Sequence, residues 1–400
     1  MVQKHLHARS RGGLGTRLLR DVRARATTAR VAAGGAASTI IAGVAVLLLV
    51  GAGLSYRSGG SPASATASSA TLAPNAPFTL VAISPGSTAS TVAFDLPLRL
   101  RFSQPLAAST PLPSLAPAVP GRWLATGRSS LTFVASSPEV PGTKVVLTVP
   151  GGNGGVRSVT GRVLARSQVA SWTVKPGSVL LLQEILAQLG YLPVTWTPIG
   201  QGPPSPAMYA HGQLGVFSWR WASVPQQLQA LWAPGQYTVV TRGAVMAFEN
   251  AHGVTTDGVA SPAVWAALFQ ALQAGQLDPY PYAYAMVSMA SPENLVLWVE
   301  GADIYSSLAN TGIPVSPTQP GTFPVYLRYT FQVMRGTNPD GSTYADPVSW
   351  VSYFNGGDAV HGFVRASYGW PQSLGCVELP PSHAAVVWPY MHIGTLVTVS

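Results

Sequence analysis

The single cysteine of this 400-residue chain, Cys376, stands fifteen residues after His361 in the stretch HGFVRASYGWPQSLGCVELP. A thiolate is the working form of a cysteine nucleophile, and an imidazole nearby can take or hold its proton. Residue types alone therefore point to acyl chemistry, with Cys376 as nucleophile and His361 as general base. Gly375, directly before the cysteine, gives the backbone freedom to turn sharply, which exposes the thiol and aims N–H groups at a developing oxyanion. Gly362, directly after the histidine, permits close approach of a substrate. The plain alternative is a buried cysteine that acts as a small apolar side chain.

The other reactive residue types are weaker candidates. His383 and His392 have no partners at zinc-ligand spacing, so both read as structural or solvent-facing and no metal is expected. Asp358, three residues before His361, is a candidate to orient the imidazole or a simple turn carboxylate. Tyr353, Phe354, Tyr368 and Trp370 either line a cleft or pack in a core. NPDGS (338–342) is a turn. Neither a phosphate-binding loop nor a cofactor fingerprint is found, so no cofactor is expected.

The elements that must position the pair read as β structure over 282–400. NLVLWVE turns at Glu300-Gly301 into DIYSSLAN as a hairpin. SPTQPGTFPVYLRY and SWVSYFNGGDAVHGF follow, a short helix covers SHAAVVWPY (382–390), and GTLVTVS closes the chain. Upstream, the period is helical. SVLLLQEILAQLGYLP places Leu182, Ile185, Leu186 and Leu189 on one face, with Ser178 as N-cap and Gly190 as stop. The stretch 241–272 gives two more helices. Val245, Phe248 and Ala251 form an apolar face of the first, and Ser261-Pro262 opens the second. Residues 78–175 hold FTLVAIS, LPLRLRFS, SLTFVAS, KVVLTVP and VASWTV between Pro, Gly and Ser turns, the pattern of an immunoglobulin-like β-sandwich.

Charge is concentrated at the N-terminus. Residues 1–30 hold Lys4 and seven arginines against Asp21, so they carry +7 of the net +9 and leave +2 for the other 370 residues. The high pI therefore describes a tail, and no basic stripe or nucleic-acid module follows it. Val31 to Tyr56 contains no charged residue, and its length suits a helix across a hydrocarbon core of about 30 Å. Basic residues before it place the N-terminus in the cytoplasm and the rest outside. A cleaved signal peptide is the other reading of this segment. Outside the cytoplasm one cysteine can form no internal disulfide, and an unpaired thiol is open to oxidation, which favours a chemical role for it. Residues 57–77, rich in Ser, Ala, Gly and Pro, form a flexible spacer.

Two resemblances sharpen this picture. LQEILAQLGYLP with RGAVMAFENAHGVTTDGVASPAVWAAL resembles the three-helix peptidoglycan-binding family, with an insertion over about 193–240. HGFVRASYGWPQSLGCVE resembles the active-site motif of the L,D-transpeptidases (the YkuD-type catalytic domain), a His followed by Ser/Thr-His-Gly-Cys. SPTQPGTFPV and GGDAVHG resemble that family's strands before the histidine. The resemblance implies Cys376 as nucleophile, His361 as general base, the Gly375 and Cys376 backbone as oxyanion hole and Ser373 as the motif Ser/Thr; Ser373, Gly362 and Tyr368 are the candidate substrate contacts. Two positions depart from the motif. Leu374 stands in place of the second His, and Glu378 in place of Asn or Arg two after the cysteine, where an anion tends to raise the thiol pKa.

The expected fold is multidomain: a basic cytoplasmic tail (1–30), a membrane anchor helix (31–56), a linker (57–77), an immunoglobulin-like β-sandwich (78–175), a small three-helix peptidoglycan-binding domain with insertion (176–278) and a mostly-β L,D-transpeptidase catalytic domain (282–400). The resemblance implies a cell-wall transferase. It would act through a cysteine acyl-enzyme on stem tetrapeptides of peptidoglycan, form 3→3 cross-links, and be acylated by carbapenems. The alternatives are a non-catalytic peptidoglycan-binding protein and a cysteine carboxypeptidase or endopeptidase on the same stem peptides.

Overall fold

The computed structural model describes residues 76–86, 91–92, 97–136, 139–200 and 214–400. The basic tail, the apolar run 31–56 and nearly all of the spacer lie outside the described residues. Among the described residues no helix is long and apolar enough to cross a membrane.

The first strands are β1 (Leu80–Ser84), β2 (Thr91–Val92), β3 (Leu98–Phe102), β4 (Ser114–Ala116), β5 (Gly121–Gly127), β6 (Ser130–Ala135), β7 (Lys144–Val149) and β8 (Gln168–Val174). They form two four-stranded sheets, in the orders β1-β3-β6-β5 and β2-β8-β7-β4. β3 shows why: Leu98, Leu100 and Phe102 are buried while Arg99 and Arg101 are exposed, the period-2 signature of a half-buried strand. Leu98 and Leu100 share one core with Leu147, Val149 and Trp172 of the other sheet. β2, β4 and β5 escape the sequence reading because the first two are very short and β5 is almost wholly exposed, with no alternation to read.

The helical unit follows. In α1 (Val179–Gln188) the Ser178 hydroxyl accepts from the Leu181 N–H at 3.1 Å, as its cap position requires. Leu182, Ile185, Leu186 and Leu189 are all buried. The insertion forms a hairpin of β9 (Val194–Pro198) and β10 (Gly215–Trp219), then α2 (Gln226–Ala230). Buried Gln183 of α1 ties the insertion down by donating to the Ala233 and Gln236 carbonyls and accepting from the Gly235 N–H. In α3 (Val239–Ala251) Val245 and Phe248 are buried as expected, but Ala251 is exposed. The helix ends there, and of its last turn Phe248 and Glu249 are in the core while Asn250 and Ala251 are exposed. α4 (Pro262–Ala274) starts at the Ser261 cap, whose hydroxyl accepts from Val264.

The C-terminal strands are β11 (Ala283–Ser288), β12 (Asn294–Val299), β13 (Ala302–Leu308), β14 (Gly321–Pro324), β15 (Leu327–Thr337), β16 (Thr343–Asn355), β17 (Asp358–Gly362), β18 (Val377–Leu379) and β19 (Leu396–Val399). One sheet runs β13-β12-β11-β19-β14 and the other β15-β16-β17-β18. Leu295 and Leu297 of the first share a core with Phe354, Val360 and Val377 of the second and with Ala384 and Val387 of α5 (Pro381–Val387). Glu300 and Gly301 both take positive φ, 44° and 96°, which a tight hairpin whose twist matches its strands requires. β15 and β16 form a long hairpin closed by NPDGS, where the Asn338 N–H donates to the Ser342 carbonyl. β16 is bulged against β17 between Ser349 and Ser352, and Trp350 there has φ 59°. The bulge brings Val348 and Val351, three residues apart, into one small cluster with Ala359.

The helical unit is docked on this C-terminal part. The Trp298 indole of β12 donates to the Ser223 carbonyl at 3.1 Å. Gly243 of α3 lies so close to β19 and the residues before it that a Cβ there would stand 2.6 Å from the Gly394 carbonyl oxygen.

Candidate active site

β17 and β18 pair in parallel, with Val360 opposite Val377 and His361 opposite Glu378. Cys376, directly before β18, thus stands beside Ala359. Side chains alternate along strands. Val360, Val377 and Leu379 enter the core between the sheets. Ala359 and Cys376 face the other way, into the cluster of Val348, Val351, Met334, Tyr353 and Phe363. His361 and Glu378 share that second face. The two sequence-predicted reactive groups are therefore diagonal neighbours on adjacent strands, under the β15–β16 hairpin.

The thiol is free and partly exposed, and its Sγ lies 3.7 Å from the Gly357 carbonyl oxygen. Burial first, then the Asp358 and Glu378 carboxylates, push its pKa up to about 12, against a hydrogen bond from the Ala359 backbone that favours the thiolate. The imidazole is 3% exposed, and its Nδ1 has no hydrogen-bond partner. Burial lowers its pKa; Glu378, the Gly362 backbone and Asp346 act to raise it, and Arg365 to lower it. A raised thiol and a lowered imidazole mean that both are neutral near pH 7. Among the described residues no hydrogen bond joins them, and such contacts are often open before substrate binds.

The loop carrying the cysteine is built from polar bonds. Gly375 has φ 116°, and a Cβ on it would stand 2.5 Å from Asp358 Oδ1, so glycine is required twice over. Its N–H donates to Ser373 Oγ at 3.2 Å, and that hydroxyl donates to the Cys376 carbonyl at 2.6 Å. The Gly375 N–H expected in the oxyanion hole is thus engaged within the turn in this state. Ser373 is buried and staples the turn. The segment after β13 braces the loop from outside: the Ser373 N–H donates to the Thr311 carbonyl, and Asn310 and Glu378 exchange backbone bonds. Ser316 Oγ donates to the carbonyl of Leu374. Buried Glu293 fixes this brace by accepting from the Thr311 N–H and hydroxyl.

Several sequence expectations are corrected. A Cβ on Gly362 would meet Ser349, Pro381 and Ala384, so glycine there lets α5 pack closely on β17. The Tyr368 hydroxyl donates to the Phe363 carbonyl and accepts from the Arg365 N–H, which closes the loop between them. Asp358 lies against Gly375 rather than orienting the imidazole, and accepts from the Gln319 N–H at 3.5 Å. Of the aromatic candidates, Tyr353 borders the thiol, Phe354 lies in the core between the sheets and Trp370 is exposed. His383 bonds Ser307, and His392 stacks on Tyr280 beside Arg328, with burial first pushing its pKa down to about 4. Among the described residues no group of three or more His, Cys, Asp or Glu is placed to hold a metal.

Three residues at the site carry no sequence signal of their own. Arg365 forms a bidentate ion pair with Glu378, 2.8 Å at both bonds. The anion that departs from the motif is therefore matched by a cation four residues after the histidine. Tyr344 and Asp346 of β16 also act on this face. Burial first, and then the thiol, raise the Tyr344 hydroxyl pKa. Only the register of the long hairpin against β17 brings them there, and no spacing rule encodes that register.

Residues 282–399 match the family described as the YkuD L,D-transpeptidase catalytic domain. Among solved structures, an L,D-transpeptidase from Mycobacterium smegmatis aligns at 13% identity over 81% of this chain and 100% of that one, with a TM-score of 0.28. L,D-transpeptidase 3 from Mycobacterium tuberculosis, in complex with a faropenem-derived adduct, aligns at 12% identity over 80% and 98%, TM-score 0.28. The catalytic domain of the E. faecium L,D-transpeptidase aligns at 26% identity over 30% and 96%, TM-score 0.28. No curated protein matches the chain.

Proposed function

We propose that the domain over 282–399 makes this chain an L,D-transpeptidase that joins peptidoglycan stem peptides by 3→3 cross-links through a Cys376 acyl-enzyme. The observation that carries the reading is the placement of Cys376 and His361 on one face of the paired strands β17 and β18, within residues matching that catalytic family.

The resting thiol is neutral, so it must lose its proton as it attacks. Cys376 adds to the carbonyl joining the third, diamino residue of a stem tetrapeptide to its terminal D-Ala, and the neutral imidazole of His361 takes the thiol proton. The tetrahedral adduct collapses with cleavage of the C–N bond, and the imidazolium returns that proton to the leaving D-Ala amine. The side-chain amine of a second stem peptide then attacks the thioester, gives its proton to His361 and forms the new amide. The thiolate leaves and is reprotonated by the imidazolium. Water must be kept out while the amine is admitted, or the thioester is hydrolysed. On this reading carbapenems acylate Cys376, the helical unit holds peptidoglycan, the sandwich is a spacer, and residues 31–56 anchor the chain with its catalytic domain facing the cell wall.

The test is incubation of the full chain in detergent with defined tetrapeptide muropeptides, followed by mass spectrometry beside Cys376→Ala. Loss of D-Ala with a new dimer, absent in the variant, is the expected result. Loss of D-Ala without dimer would replace the transferase by a hydrolase, and binding without turnover would replace both by a wall-binding protein.

A further inference from the structure

Arg365 is bonded on both sides of the nucleophile. Its Nε and Nη2 reach the two carboxylate oxygens of Glu378, two residues after Cys376, each at 2.8 Å. Nη2 also reaches the carbonyl of Gln372, four residues before the cysteine, at 3.2 Å. Arg365 itself leaves β17 four residues after His361, and its guanidinium lies over the Phe363 ring at 4.7 Å. Phe363 stands edge-on to the imidazole, with centroids 6.3 Å apart. The backbone between is closed by Tyr368. Glu378 is 4% exposed and directly opposite His361 in the register. A fork-to-fork arginine–carboxylate pair is directional as well as strong.

We propose that Arg365 and Glu378 are positioning residues: their ion pair clamps the segment leaving His361 to the strand leaving Cys376, and so fixes where the imidazole stands relative to the thiol. The proposal rests on the reading of His361 as the base in acyl transfer. A broken clamp leaves Glu378 buried without its cation, or Arg365 without its anion, beside the imidazole. The two failures have opposite electrostatic signs. The charged and titratable groups around His361 are Glu378 from β18, Arg365 from the following loop and Asp346 from β16, with Cys376 and Tyr344 adjoining. Asp346 is common to all variants, so the sign difference belongs to the pair.

The experiment is a pH titration of the histidine ring carbons by NMR in the full chain held in detergent, with His361 assigned by its loss in His361→Gln. Glu378→Gln removes an anion and uncovers a cation, so the His361 titration moves to lower pH, by about one pH unit. Arg365→Gln uncovers the anion, so it moves to higher pH. Arg365→Lys keeps the charge but loses the fork; the titration returns toward wild type. The clamp is overturned if both Gln variants leave the titration in place or move it the same way. No substrate is needed, so the result is separate from the muropeptide experiment. Opposite shifts with no transpeptidation would uphold the clamp and discard the acyl-transfer role of His361. Transpeptidation with unmoved titrations would do the reverse.

Discussion

Helix α1 is largely buried, the segment from His361 to Glu378 only in part, and the two are held in opposite ways. In α1 the cap and the apolar spacing agree with the fold, and Glu184, 2% exposed, is the one charged side chain the helix carries into the core. Ser178 caps it, four leucine and isoleucine side chains at helical spacing fill the core, and the one deeply buried glutamine has partners for both ends of its amide. The site segment breaks local rules at three points: a glycine at φ 116° pressed against a carboxylate, a buried imidazole with an unpartnered nitrogen, and a buried carboxylate, Glu378, paired with a partly exposed arginine. Regions where local and global preferences conflict are where a chain spends stability on function. The contrast shows that α1 is a packing element, whereas the site is a polar construction that packing alone would not select.

The sharpest way to break this comparison is the thiol itself. With its pKa pushed up to about 12 from an ordinary 9.0, Cys376 is alkylated by iodoacetamide at pH 8 about a thousandfold more slowly than an exposed cysteine, since only the thiolate reacts. The rate keeps rising with pH past 10. A midpoint near pH 9, with a plateau above about pH 10, would show an ordinary thiol and erase the contrast. Next in size is Leu186→Ala in α1, 0% exposed. Loss of a fully buried leucine costs about 2–5 kcal/mol in unfolding free energy, measured by denaturant titration, while the pH profile of alkylation keeps its shape. The smallest effect on stability is expected at Gly375→Ala, about 1–3 kcal/mol from the left-handed backbone, yet it moves Asp358 and so changes the alkylation profile. If the two variants exchanged signatures, with Leu186→Ala altering the profile and Gly375→Ala only the stability, the division drawn here would be wrong.

Much of this was legible because it depends on short-range signals. The caps at Ser178 and Ser261, the Glu300-Gly301 hairpin and the NPDGS turn are local chemistry, and each lies where its residues require. Cys376 and His361 stood out because a lone cysteine near a histidine is rare in composition. The remainder of the site was not legible, for a physical reason. For Ser373, Gly362 and Tyr368 residue type does not show the partners the structure gives them: Cys376 and Gly375 within the turn, α5 behind β17, and the Phe363 carbonyl. Arg365 was passed over because nothing in HGFVRAS says that its partner lies thirteen residues on, across two strands. Ala251 shows the same limit at a helix end, where periodicity continues after the core has stopped.

The close approach of Gly243 to the Gly394 carbonyl has a mechanical consequence. The helix meets the backbone just before β19 there, with the Leu396 side chain packed beside the contact. The helical unit is thus seated at the start of β19 as on a machined shoulder, and β19 shares a core with β17 and β18, the strands beside the thiol. The span between the helical unit and Cys376 is thereby set, and the two parts together form a caliper. A bulkier residue at position 243 would reset the gap without touching a single reacting atom.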